Sequence, residues 1–174
     1  VPQLIEYGIT QAVSALAKAE AYSAAAVESG GTLKVHIKVD TGMSRLGYLC
    51  GGEMFDTGVE GICHACNAPG LEAEGIFTHF AVADEPDPDS VAYTRRQFDL
   101  FCRVIRAVEE KRGRRFPLRH CANTGATACY PEMHLDMVRP GLLLYGYGEF
   151  AKGLDLRPVM TLKTTISTTK TYEP

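Results

Sequence analysis

No stretch of this 174-residue chain approaches the run of about 18 apolar residues that a membrane-spanning helix needs, and no basic-then-apolar leader opens it. Neither a span nor a signal peptide is expected within these residues. A cytoplasmic setting follows, with a membrane-anchored parent left open. An excess of basic charge is lacking too. Eighteen Lys and Arg against 21 Asp and Glu leave a net charge of -3, so no nucleic-acid partner is indicated. The six cysteines sit singly in apolar contexts, which reads as reduced thiols rather than a disulfide framework. Cys63 and Cys66 form a C-x-x-C unit, but without a second pair it reads as core or helix surface rather than as zinc or redox chemistry. Absent as well are H-x-H, H-E-x-x-H and H-x-x-E arrangements, a G-x-S-x-G elbow, and the glycine spacing of Rossmann or P-loop folds. No metal site is expected. An initiator Met is missing, and the chain stops just after a strand-like run, so it reads as a piece of a longer protein.

What is present is an alternation of strand and helix signals. Residues 9–13 suggest a first strand, and Ser14 a cap for an Ala-rich helix that Gly30 and Gly31 stop. A β-branched alternating run over 33–39 predicts a second strand. Phe55, Val59, Ile62 and Cys66 recur at helical spacing, although Gly58 and Gly61 weaken the pattern. Residues 71–80 predict a third strand, followed by a loop that Pro86 and Pro88 keep irregular. Ser90 is a candidate cap for a helix over 91–110 with Phe98, Phe101, Ile105 and Val108 as its buried stripe. Short strands are expected at 118–122 and 136–138, and residues 142–145 suit either a strand or a helical turn. Repeated βα units imply a parallel sheet with helices outside, in an open sheet or a barrel. From Pro158 to Lys170 the pattern becomes that of a one-face-buried strand without a crossover helix.

Four predicted strand ends carry polar residues: 38–45, 78–79, 120–124 and 136–141. Convergence of side chains from separate strands is how a barrel builds an active site. Lys38 and Arg45 suit an anionic ligand, with a snorkelling strand lysine as the plainer reading of Lys38. His79 and His120 read as acid-base groups, as rings beside a cofactor, or as structural donors. Asn123, Thr124 and the Arg139-Pro140-Gly141 turn offer hydroxyl, amide and backbone donors for a phosphate, with simple turn geometry as the alternative for the glycines. Arg139, between Val138 and Pro140, needs an acceptor: Asp136, Asp40 or a ligand.

The segments VHIKVDTGMSRLG, EGIFTHFAVADE, HCANTGATACYPE and DMVRPGLLLYG, in this order, resemble the fold-type III alanine racemases, including the serine/alanine racemase branch. The resemblance implies an α/β fold, the C-terminal portion of a (β/α)8 TIM barrel followed by the first strand of a β domain. The expected division is a partial barrel over 1–150, a linker over 151–157 and the start of the β domain over 158–174. It also implies pyridoxal 5'-phosphate as cofactor, a small amino acid (alanine or serine) as substrate, and a homodimer. The implied activity is racemisation of L-alanine to D-alanine for cell-wall peptidoglycan. By motif, Arg45 would meet the substrate carboxylate and the cofactor's phenolic oxygen, and Lys38, carbamylated, would support Arg45. His79 would pack beside the cofactor ring, while His120 would hold Arg139 toward the pyridine nitrogen. Thr124, where the family commonly has serine, would hold the phosphate with Asn123, Gly141 and Leu142. The lysine that bonds the cofactor and the tyrosine of the opposite face are expected outside these residues, so this stretch alone is expected to be inactive. A racemase of serine or broader range, and a non-catalytic cofactor-binding barrel, stand as alternatives.

Overall fold

The computed structural model describes residues 1–148, 150 and 153–173. Four parallel strands form the sheet: β1 (Gln11–Val13), β2 (Leu33–Asp40), β4 (Leu71–Phe77) and β5 (Leu118–His120), with the two-residue β3 (Tyr48–Leu49) beside the end of β2. They lie in chain order, β1-β2-β4-β5. Each new strand is added on the same side, with none of the reversal that marks a doubly wound sheet, and the sheet is an arc of a (β/α)8 barrel.

Helices α2 (Leu16–Glu28), α3 (Phe55–Asn67) and α4 (Pro88–Arg112) connect these strands; α1 (Pro2–Glu6), α5 (Thr124–Cys129) and α6 (Gly141–Leu144) are short. The alternation in β2 separates two faces. Leu33, Val35, Ile37 and Val39, all at most 1% exposed, belong to the apolar core, while Lys34, His36 and Lys38 take the other face. The apolar layer lies between sheet and helices, and the polar face is left for chemistry.

Local signals account for most element ends. α4 starts at Pro88, whose ring suits a first helical position, and the Asp87 carboxylate caps it by accepting from the amides of Asp89 (3.1 Å) and Ser90 (3.0 Å). The cap is therefore Asp87 rather than Ser90. Gly113 closes the helix in a left-handed conformation, φ 61°. α2 is capped at Ala15 with no side-chain bond, so Ser14 does not serve.

Two expected strands take other forms. Residues 136–138 follow β5 without a ladder: the Asp136 amide donates to the Arg119 carbonyl (3.0 Å), the Asp136 carboxylate accepts from the Arg119 amide (2.8 Å), and the Arg139 amide donates to the Ala122 carbonyl (2.9 Å). A side chain has replaced part of the main-chain pairing. Residues 158–173 are exposed and carry no assigned strand; alternation needs a neighbouring strand to form a ladder, and none lies beside them among the described residues. Of the expected linker, residues 151 and 152 lie outside the described residues. Residues 141–144 resolve as a helical turn.

Gly58, which weakened the helical pattern, is where α3 meets β3. A Cβ there would collide with the Leu49 carbonyl oxygen and lie 2.6 Å from Cys50 Sγ. Alanine normally gains about 1 kcal/mol over glycine inside a helix, but overpacking against backbone costs about 1–3 kcal/mol. Gly58→Ala is therefore expected to lower the denaturant midpoint of the full-length protein, and a raised midpoint would refute the close approach.

Candidate active site

The register brings three side chains abreast at the carboxyl ends of the strands: Lys38 opposite Phe77, and Phe77 opposite His120. Phe77 is the platform. The His120 ring stacks on it with centroids 4.9 Å apart, and Lys38 Nζ and the Arg139 guanidinium lie 5.2 and 5.4 Å from its centroid. Two cations over one ring gain from its quadrupole and repel each other, so each needs further partners.

Arg139 has them. Nη2 donates to the Thr78 carbonyl at 2.8 Å, with the Cys121 carbonyl and His79 Nδ1 both at 3.4 Å, and Nη1 donates to His120 Nδ1. Burial pulls the Arg139 pKa down, yet a guanidinium keeps its charge in proteins. The result is a fixed, half-buried cation that joins the ends of β4 and β5.

Arg139 and His79 line an open pocket of about 440 Å³ that also takes in Asn123, Thr124, Gly141 and Leu142. Asn123 caps α5, its side-chain oxygen accepting from the Ala126 amide (3.1 Å) and its Nδ2 donating to the Phe80 carbonyl (3.4 Å). Thr124 Oγ1 accepts from the Leu142 amide at 2.8 Å, which ties the start of α5 to α6. A Cβ on Gly141 would come no nearer than 3.9 Å to that hydroxyl, leaving the space beside it open. One pocket thus holds the Thr124 hydroxyl, the Gly141–Leu142 backbone, a fixed guanidinium and an imidazole, a set of groups that fits a phosphorylated aromatic group carrying a ring nitrogen.

Lys38 is buried, with Nζ donating to the Val39 carbonyl at 3.1 Å. Burial, aided by Arg139 and Arg45 and opposed by Asp40, lowers its pKa to about 8. Such a lysine stays mostly protonated at neutrality, with about a tenth as free amine, far more than an ordinary lysine offers. Arg45 is exposed and borders a separate pocket with Asp40, Ser44 and Lys18. The structure thus groups His79, His120, Asn123, Thr124, Arg139, Gly141 and Leu142, with Lys38 behind Phe77, and leaves Arg45 apart. Two cations have no reason to pair until one of them changes sign.

His36, Glu74 and Gln97 escaped the sequence reading, while Thr41 and Thr78 lie within the polar strand ends it named. His36 bonds His120, Glu74 faces His36, and Thr41, Thr78 and Gln97 form a buried polar chain beneath the His79 segment. A glutamine inside the apolar stripe of α4 was the readable signal for Gln97. His36, two residues before Lys38 in an alternating strand, had to share its face.

Burial, reinforced by Arg139, holds the His79 pKa at about 4 and the His120 pKa at about 3, against 6.5 for a free imidazole. The folded state therefore binds fewer protons than the unfolded one between these values and 6.5. The stabilisation is complete above about pH 6.5 and is lost as pH falls toward the folded values, by at most about 1.4 kcal/mol per pH unit for each ring, and less with solvent screening. Denaturant midpoints of cofactor-free full-length protein are expected to drop between about pH 6.5 and 4.5, with a shallower fall in His120→Gln. Equal slopes in the two proteins would contradict a neutral buried His120.

Residues 1–149 match the family described as alanine racemase, N-terminal domain. The chain is 44% identical over 173 residues to the alanine racemase of Clostridium tetani, covering 97% of this chain and 43% of that protein. It is 45% identical over 170 residues to that of Desulforamulus reducens, with 95% and 44% covered. Among solved structures, the alanine racemase of Clostridium difficile 630 in complex with cycloserine superposes with a TM-score of 0.78 at 30% identity, covering 90% of this chain and 42% of that one. The chain thus spans less than half the length of these relatives.

Proposed function

Because this chain belongs to the alanine racemase family, we propose that it forms part of a pyridoxal 5'-phosphate enzyme that interconverts L- and D-alanine, acting as a homodimer in the cytoplasm. The supporting observation is the single pocket lined both by a guanidinium fixed by His120 and Thr78 and by a Thr124 hydroxyl tied to Leu142. When bound, the cofactor supplies an electron-withdrawing ring that makes the α C–H bond of an attached amino acid acidic. The chain's own residues hold and orient. Thr124, Asn123, Gly141 and Leu142 take the phosphate, His79 packs beside the ring, and Arg139 addresses the ring nitrogen. A permanent cation there disfavours protonation of that nitrogen. His120 keeps Arg139 in place.

Arg45 orients the substrate carboxylate and the cofactor's phenolic oxygen. Lys38 supports it as a carbamate, formed when its free amine adds carbon dioxide and releases a proton; the cation becomes an anion able to draw Arg45 inward. The groups that move the α proton are assigned to the protein outside residues 1–174. Residues 158–173 belong in this reading to the start of a β domain, whose further strands would give them partners.

The deciding experiment is α-proton exchange in deuterium oxide on L- and D-alanine by the full-length protein at saturating cofactor, with serine in parallel. Exchange and racemisation of alanine are expected. Absence of exchange on both amino acids would end this reading, and exchange on serine alone would replace the substrate.

A further inference from the structure

Below Arg139 the polar face continues as a column of groups that cofactor binding does not itself require. β2 and β4 pair Val35 with Ala73 and then His36 with Gly75, so Glu74 is an extra residue in β4. Such a bulge re-aims side chains. Here it places Gly75 under the His36 ring, where any Cβ would sit 2.7–2.8 Å from ring atoms. Glu74 turns toward the same ring: Oε2 is 3.8 Å from His36 Nε2 and accepts from Thr10 Oγ1 at 3.1 Å, while Oε1 accepts from Lys34 Nζ at 3.1 Å. His36 Nδ1 and His120 Nε2 are 2.8 Å apart, and the other nitrogen of His120 meets Arg139.

The proton positions along this column follow from one constraint. A guanidinium has only donors, so while Arg139 faces His120 the ring must offer its Nδ1 lone pair and carry its proton on Nε2, an arrangement that persists only if that Nε2–H has an acceptor of its own. That proton points at His36 Nδ1, which must then accept, leaving the His36 proton on Nε2, which lies 3.8 Å from Glu74 Oε2 as an electrostatic contact rather than a hydrogen bond. The opposite orientation, with His36 Nδ1 as donor, would place a proton on His120 Nδ1 against the Arg139 N–H groups. Glu74 favours the first arrangement because it attracts the Nε2 proton of His36.

We propose that His36 and Glu74 are positioning residues for Arg139: they hold His120 as its Nε2–H tautomer, so that its Nδ1 lone pair keeps the guanidinium directed at the ring nitrogen of the bound cofactor. The role toward cofactor rests on the function proposed above; the tautomer assignment does not. Neither residue lines the pocket that holds Arg139, His79 and Thr124. Gly75 and the Glu74 bulge are the structural provision for the column.

The test uses full-length protein carrying 15N-histidine, with and without pyridoxal 5'-phosphate, and the variants His36→Leu, His36→Gln and Glu74→Gln. In the parent protein His120 is expected to show a protonated Nε2 and an unprotonated Nδ1. His36→Leu removes the acceptor, so the His120 signals should shift toward the mixed-tautomer average, the cofactor absorbance should move, and kcat should fall about tenfold with KM little changed, at the low end of what losing a ligand's supporting partner costs. The glutamine carbonyl in His36→Gln can accept from His120 Nε2–H and should restore the single tautomer and most of kcat. Glu74→Gln should shift the His36 signals toward mixed tautomers, with a smaller effect on absorbance. Unaltered His120 signals in His36→Leu, or a His36→Gln protein as impaired as His36→Leu, would overturn the proposal. Should His36→Leu fail to fold, His36→Gln and Glu74→Gln decide: a preserved His120 tautomer in the first with mixed His36 signals in the second supports the proposal, and any other pattern overturns it. A protein that shows the tautomer shifts but exchanges no α proton keeps the column and loses the racemase reading. An active racemase indifferent to His36→Leu does the reverse.

Discussion

Arg139→Ala in the full-length protein is expected to shift the absorbance of bound pyridoxal 5'-phosphate and to lower kcat/KM for alanine by about 10²–10³, the range for removing one fixed donor from a charge-stabilising site. The size follows from how the residue is held. Its guanidinium serves the Thr78 carbonyl, His120 and, at longer range, His79 and the Cys121 carbonyl, so it joins the ends of β4 and β5 while lining the pocket. Alanine removes the cation and also leaves His120 Nδ1 and the Thr78 carbonyl without their donor. Arg139→Lys should recover only part of the loss, because a point charge cannot reproduce a planar fork that reaches His120 and Thr78 together. Unchanged absorbance and cofactor affinity in Arg139→Ala would remove this residue from the site.

Gln97→Leu should destabilise the full-length protein by about 2 kcal/mol in urea unfolding, although it makes the core more apolar. Gln97 is 1% exposed, among the buried residues Phe101 and Val104 of α4. Its Oε1 accepts from the Ala81 amide at 3.0 Å, and its Nε2 donates to Thr41 Oγ1 at 3.2 Å. Thr78 Oγ1 donates to the Val39 carbonyl (2.9 Å), so the 2.8 Å contact between the two threonines must be donated by Thr41. The chain runs in one direction, from the outer helix to the carbonyl that also receives Lys38 Nζ. Leucine would leave the buried Thr41 acceptor unpaired at about 1–3 kcal/mol and remove the bond to the Ala81 amide, worth about 0.5–1.5 kcal/mol, together more than its added burial returns. Thr94→Val is the contrast. Thr94 Oγ1 is buried with no hydrogen-bond partner among the described residues, so this change should be neutral or stabilising. If Gln97→Leu unfolded at the same urea concentration as the parent, the polar chain would carry no stability.

Much of the fold was legible in the sequence because its causes are local. The alternation of Leu33, Val35, Ile37 and Val39, the alanines of α2 and the stop at Gly30 and Gly31 each act over a few residues, and the structure places β2 and α2 there. Departures occur where a competing local group won, as when Asp87 before Pro88 capped α4 in place of Ser90. Others occur where a strand needed a partner beyond its own pattern, as at 136–138 and 158–173. Likewise, the four motif segments were readable as strand ends, which was enough to group His79, His120, Thr124 and Arg139.

By itself, then, the sequence determined the βα order, the apolar face of the sheet and the candidate residues at the strand ends, since periodicity, capping and turn chemistry are short-range. Only the tertiary structure decided which of those residues meet. His36 and His120 are 84 positions apart and touch because of strand order and register; Glu74 faces His36 because β4 carries one extra residue, a shift that periodicity alone does not reveal. The same holds for Lys38 and Arg45, seven residues apart in one motif, which the fold places on a buried strand face and an exposed loop. Chain proximity brought them into one pattern, and like charge gives them no reason to pair.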